Sequence, residues 1–170
     1  MQQAVLEKPL LRSELRFVQP GDNAALANII RTVLPEFGAT GPGYAIADPE
    51  VDYMCETYAA PRSRYFVVEQ DGMVLGGGGV APLKAASPEI CELQKFYLVK
   101  EARGTGMGQR IIDACFGAAR EFGFKHCYIE TLLGMEAALT LYARNGFVHL
   151  SGPLGGTGHY KCQAWMVKAL

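Results

Sequence analysis

Residues 101–110 read EARGTGMGQR and lie between a β-rich run, Ile90 to Val99, and a segment with apolar residues at helical spacing. A helix N-terminus carries unpaired N–H groups and about half a positive charge, and glycines let those amides approach an anion unobstructed. Arg103, Gly104, Thr105, Gly106, Met107 and Gly108 are therefore candidates for holding a phosphate or pyrophosphate. Two nucleotide motifs fail on this segment. A P-loop needs Lys-Ser or Lys-Thr after its last glycine, where Gln109 and Arg110 stand, and a dinucleotide fingerprint begun at Gly104 needs glycine or alanine at Gln109. What remains is Arg103-x-x-Gly106-x-Gly108, which also fits a glycine turn that merely caps a helix.

The elements that must position this loop follow from periodicity. Leu15 to Gln19 reads as a strand, and Asp22 as the N-cap of a helix over Asn23 to Val33, with Leu26, Ile29, Ile30 and Val33 on one face. Leu34 to Arg64 is irregular, with weak helical character over Val51 to Tyr58. Tyr65 to Glu69, the turn Asp71-Gly72, and Met73 to Val80 form a hairpin. Gly76 to Gly79 in its second strand leave room for a close neighbour. A strand over Ile90 to Val99 leads to a helix over Gly106 to Phe122 stopped by Gly123. A strand over Cys127 to Thr131, a helix over Met135 to Arg144 closed by Asn145-Gly146, and strands over Phe147 to Leu150 and His159 to Val167 complete the chain. Hairpins first and helix crossovers after predict an α+β layer with a mixed sheet.

The 170 residues suit one domain, 1–170, and 49% hydrophobic with 19% charged residues supports a buried core. Sixteen basic and 17 acidic residues give a net charge of -1, without the positive excess that neutralises nucleic-acid phosphates. Neither a signal-type apolar run in the first twenty residues nor a membrane-length run elsewhere is present, so a cytoplasmic protein is expected. Five cysteines with no CxxC pair read as reduced thiols, and His126 and His149 have no ligand-type companions, so no metal is expected.

Taken together, ELQKFYLVKEARGTGMGQR, the CYIET strand and LYARNGF resemble the GCN5-related N-acetyltransferase (GNAT) family. The likeness runs from about Leu15 to Val167 and is strongest from Glu92 to Phe147. ICELQKFYL and the ending TGHYKCQAWM are similar to a small bacterial branch of it, and do not name an acceptor. The resemblance implies a mostly antiparallel mixed sheet flanked by helices, acetyl-CoA as co-substrate, and acetyl transfer to a primary amine of a small molecule or peptide by direct attack in a ternary complex. A monomer or homodimer is implied, with no nucleic-acid or membrane partner.

Residue by residue, the resemblance gives the pyrophosphate to Arg103 through Gly108. It gives the pantetheine arm and thioester carbonyl to backbone groups of Phe96, Tyr97 and Leu98, where plain strand pairing is the alternative. Tyr142 stands where family members donate a proton to the departing thiolate, and its helical spacing with Met135, Ala138 and Leu139 equally suits a core tyrosine. Met135 replaces an asparagine common in the family seven residues before this tyrosine. Glu92 matches a glutamate that serves as base, with Cys91 and Leu93 able to bury it and raise its pKa, although a strand glutamate can also face solvent. His159 is a rival base.

Thr32 to Pro61 holds Glu36, Asp48, Glu50, Asp52 and Glu56 and no lysine or arginine. The resemblance makes this stretch part of the acceptor wall and so implies a cationic amine, with Tyr44, Tyr53 and Tyr58 as wall aromatics; a solvated acidic loop is the alternative. A module that binds acyl-CoA as a sensor without turnover is the alternative of another class.

Overall fold

The computed structural model describes residues 13–170; the leader-free reading of the N-terminus falls largely outside them. Among these residues, seven strands form one sheet in the order β1-β2-β3-β4-β5-β7-β6. They are β1 (Glu14–Phe17), β2 (Arg64–Gln70), β3 (Met73–Pro82), β4 (Ile90–Leu98), β5 (His126–Thr131), β6 (Val148–His149) and β7 (Ala164–Ala169). Only β4 and β5 run parallel; every other pair is antiparallel. The helices are α1 (Asn23–Glu36), α2 (Met54–Thr57), α3 (Met107–Glu121) and α4 (Glu136–Arg144). The α+β expectation holds. Among the described residues, no helix is long and apolar enough to cross a membrane.

The sheet separates two cores, and strand alternation assigns residues to them. Phe66 and Val68 of β2 join Ile111, Ile112, Cys115 and Phe116 of α3 on one face. Tyr65 and Val67 join Leu26, Ile30 and Leu34 of α1, with Val51 and Met54, on the other. Burial on both faces explains why YFVV is a continuous apolar run. Of the β3 glycines, Gly78 shows the reason most plainly. A Cβ there would lie 2.7 Å from Phe96 Cδ2 and 2.8 Å from Ile111 Cγ2, so α3 could not approach this closely.

Several boundaries differ from the sequence reading. The helix begun at Asn23 runs past Val33 and Pro35 to Glu36, where the chain turns through Gly38 at φ +76°. Val51 to Tyr58 is not one helix: 3-10 turns at Ala45–Ala47 and Pro49–Asp52 precede a single turn of α2, and Tyr53, at φ -134° and ψ 43°, separates the two. The last strand begins at Ala164 rather than His159. The five residues before it form a turn, and that turn carries His159 and Cys162 toward the sheet centre.

Candidate active site

The parallel strands β4 and β5 pair only through Ile90, Cys91 and Glu92. Beyond Glu92 they part, and a cleft opens through the sheet, lined among others by Glu92, Phe96, Tyr97, Glu130, Tyr142 and His159. On its other edge β4 pairs with β3, where the register shifts between Gly77 and Gly79, so that Lys95 and Phe96 form a bulge. Lys95 takes a positive φ of +50° there, and its carbonyl accepts a 2.7 Å hydrogen bond from the Tyr65 hydroxyl. The bulge that the sequence could not display is thus present, held by a buried tyrosine. It leaves Phe96 and Tyr97 beside the cleft.

Below the cleft, Gly106 precedes α3 in a left-handed conformation, φ +85°, that side chains rarely adopt. No side chain caps α3 and its first turn holds no acidic residue, which leaves the leading amides free for an anion. The space where Cβ atoms of Gly104 and Gly106 would project is open, whereas a Cβ at Gly108 would meet Leu141 at 3.1 Å. Gly108 therefore also serves helix packing. Met107 is buried in the core, so only its backbone can face a ligand. Arg103 is largely engaged: Nε donates to the Leu98 carbonyl at 3.0 Å and both terminal nitrogens hold Glu36 at 2.8 and 3.1 Å. Thr105 donates to the Ala102 carbonyl.

Tyr142 is both a core and a cleft residue. Its ring packs on Phe96 and Phe147, with centroids 5.9 and 5.7 Å away, and burial pushes its pKa well up. Glu92 is 5% exposed. Burial raises its pKa, and the like charge of Glu130 adds to this against a 2.7 Å hydrogen bond from Gln94 and the charges of His159 and Lys95. The burial does not come from Cys91 and Leu93, as the sequence suggested. Those neighbours belong to the opposite core, as strand alternation requires, and the groups around Glu92 come from Gln94, β5 and the 159–163 turn.

Sequence reading missed Glu130 and Gln94. Glu130 accepts from the Tyr128 hydroxyl at 2.7 Å and the Thr157 hydroxyl at 2.6 Å, and Gln94 links Glu92 to the Tyr58 hydroxyl at 2.8 Å. Two of these contacts join strand neighbours two residues apart, but Thr157–Glu130 and Tyr58–Gln94 span 27 and 36 residues, which no sequence spacing signals. Glu92, Glu130 and His159 bring one ligand-type atom each to within 4.8 Å of one another, a donor set able to receive a cation that the search for local motifs did not detect.

A second pocket adjoins the cleft across Glu92, Gln94, Lys95 and His159, and is walled by Asp48, Glu50 and Tyr58. The acidic stretch is not a free anionic wall. Asp48 is held by Lys95 at 2.5 Å and by His159 Nε2 at 2.8 Å, Glu50 by Lys84, Asp52 by Arg31 and Glu36 by Arg103, while Asn23 donates to Glu56. Burial works against the Asp48 charge, but His159 and Lys95 outweigh it and its pKa falls below the usual range. His159 is likewise disfavoured as a cation by burial, yet Asp48 raises its pKa. Tyr44 lines the cleft and Tyr58 the second pocket, but Tyr53 is 61% exposed and faces solvent. Met135, in place of the family asparagine, lines the cleft.

The family model for the acetyltransferase (GNAT) family matches residues 26–147. The chain is 43% identical over 150 residues to the uncharacterized N-acetyltransferase YjgM of Escherichia coli K12, covering 88% of this chain and 90% of that protein. It therefore belongs to the GNAT family of acetyltransferases. Among solved structures, a GNAT-family acetyltransferase of Staphylococcus aureus superposes with a TM-score of 0.80 at 16% identity, covering 93% and 99% of the two chains. A phosphinothricin acetyltransferase of Sinorhizobium meliloti, solved with acetyl-CoA, superposes at 0.72 with 20% identity, over 93% and 88%. Both share the fold.

Proposed function

We propose that the protein transfers the acetyl group of acetyl-CoA to a primary amine, with Glu92 as base and Tyr142 beside the leaving sulfur. The observation that carries this is that a buried glutamate and a buried tyrosine line one cleft between the parted strands, and that the cleft-lining Phe96 also borders Gly108 in the first turn of α3. The residues fit the co-substrate: open amides for a pyrophosphate, and a bulged strand edge for an amide-bearing arm. Acetyl-CoA bound to the structurally similar phosphinothricin acetyltransferase supports the same choice.

The chemistry follows from the protonation states. An alkyl ammonium near pKa 10.4 is almost wholly charged at neutral pH and cannot attack. Glu92, its pKa raised by burial, is a stronger base than an ordinary carboxylate and takes one proton. The amine nitrogen then bonds to the thioester carbon while backbone N–H groups near Phe96 and Tyr97 stabilise charge on the oxygen. The C–S bond breaks, the second proton of the nitrogen passes to the departing thiolate, which leaves as the thiol, and Glu92 releases the first proton to solvent. A phenol has a higher pKa than a thiol, and burial raises that of Tyr142 further, so outright transfer from it is uphill. Tyr142 acts mainly as a hydrogen-bond donor to sulfur. His159 is a weaker candidate base because its Nε2 is taken by Asp48.

A panel of primary amines incubated with acetyl-CoA, read by thiol release and product mass, tests this reading. Acetylation of at least one class supports it. Acetyl-CoA binding with no turnover across the panel favours a non-catalytic acyl-CoA sensor.

A further inference from the structure

The acetyl-transfer reading assigns Glu92 a proton and leaves a second carboxylate without a task. Glu130 lies on β5, across the parting from Glu92, and its side chain is 4% exposed. Hydroxyls of Tyr128 and Thr157 fix its two oxygens, and His159 Nδ1 stands 3.7 Å away. Glu92, also buried, has one oxygen held by Gln94, while the other has no protein partner among the described residues and the side chain lines the cleft. Ligand-type atoms of Glu92, Glu130 and His159 lie within 4.8 Å of one another. Two buried carboxylates this close disfavour joint ionisation unless a cation joins them.

Resting on the acetyl-transfer reading, we infer that Glu130 is the ammonium-binding residue of the acceptor site: it holds the charged amine beside Glu92, which then removes the proton. The division of labour follows from their partners. Glu130, anchored by two hydroxyls, is fixed in place, while Glu92 keeps a carboxylate oxygen available to the nitrogen. The accepted amine is thus bound as its cation, and selectivity for ammonium over neutral nucleophiles resides on β5 rather than in the 32–61 stretch, whose carboxylates are already engaged. Groups facing Glu92 are Glu130 and Tyr128 on β5, His159 and Cys162 on the turn before β7, Asp48 before α2, Tyr58 after it, and Lys95 and Tyr97 on β4.

The test is steady-state kinetics of the wild type, Glu130→Gln and Glu130→Asp with an amine that the wild type acetylates. Glu130→Gln should raise the amine KM by roughly tenfold to a hundredfold, the worth of one charge-assisted hydrogen bond, and leave the acetyl-CoA KM unchanged. Removing a like charge beside Glu92 should also move the acid limb of kcat/KM to lower pH, and Glu130→Asp should restore both toward the wild type. In the wild type, the alcohol analogue of the amine should compete far more weakly than the amine. Equal damage from Gln and Asp with no movement of the acid limb would make Glu130 only a prop for the 154–157 turn. Loss of activity to a chelator, restored by a divalent ion, would give the three residues to a metal and overturn the proposal. A wild type that acetylates no amine fails the parent reading before any variant is made, and this inference with it.

Discussion

Gln109 and Asn145 exchange two side-chain hydrogen bonds, of 2.8 and 2.9 Å, joining the first turn of α3 to the end of α4. Asn145 also donates to the Leu141 carbonyl, and Gly146 turns the chain at φ +87° so that Phe147 returns against Tyr142. The uncapped start of α3, the proposed anion site, is thereby fixed to the helix that carries the tyrosine. Asn145→Ala should cost about 1–2 kcal/mol, lowering Tm by a few degrees, and should lower kcat more than it alters acetyl-CoA binding. An unchanged Tm would show that the pair contributes nothing.

Backbone amides, rather than the Arg103 guanidinium, are expected to dominate cofactor affinity, because Arg103 already serves Leu98 and Glu36. Arg103→Ala should weaken acetyl-CoA binding by less than about fivefold, the scale of an exposed ion pair. Gly106→Val should abolish the thermal shift that acetyl-CoA gives the wild type, since it forces a β-branched residue into a left-handed conformation at the helix start. Calorimetric titration of both variants checks the order; the reverse order would place the phosphates on the side chain.

Tyr142→Phe keeps the packing on Phe96 and Phe147 and removes the hydroxyl. The expected result is a kcat lower by roughly tenfold to a hundredfold, the worth of one hydrogen bond to a charged sulfur, with acetyl-CoA affinity nearly unchanged. Wild-type turnover in this variant would leave Tyr142 as a core residue alone.

The fold was largely legible because its signals are local. The apolar run YFVV, the glycines of β3 and the periodicity of α3 depend on near neighbours along the chain, and the proposed cofactor loop stands out by lying between a strand and a helix. The partners of the 32–61 stretch stayed hidden for the opposite reason. Its five acidic residues look unbalanced in sequence, but Arg31, Lys84, Lys95 and Arg103 reach four of them from outside the stretch, and Asn23 donates to Glu56. Glu130 was invisible on the same ground, since Thr157, Glu92 and His159 join it only after β4 and β5 part.

Asp48 is the member of that stretch with the most at stake, because it compensates Lys95, whose side chain is only 8% exposed. Asp48→Asn should destabilise by about 3–5 kcal/mol, as removal of one partner of a buried pair does. The Asp48 pKa is lowered, so its contribution is in place above the ordinary carboxylate range near 3.9 and is lost as pH falls through the lowered value. The His159 pKa is raised, so its contribution is complete below about 6.5 and fades as pH rises through the raised value. Tm measured against pH should show both flanks in the wild type; in Asp48→Asn the alkaline flank should disappear and the acid flank should shrink to what other paired carboxylates such as Asp22 supply.

The most direct test of amine acetylation with Glu92 as base is the pH dependence of amine-stimulated thiol release in wild type and Glu92→Gln. Wild type should lose activity on the acid side as Glu92 protonates. Glu92→Gln should be slow at neutral pH and recover toward the amine pKa near 10.4, where the neutral nucleophile is abundant without a base. Parallel profiles of equal height for the two proteins would contradict the account.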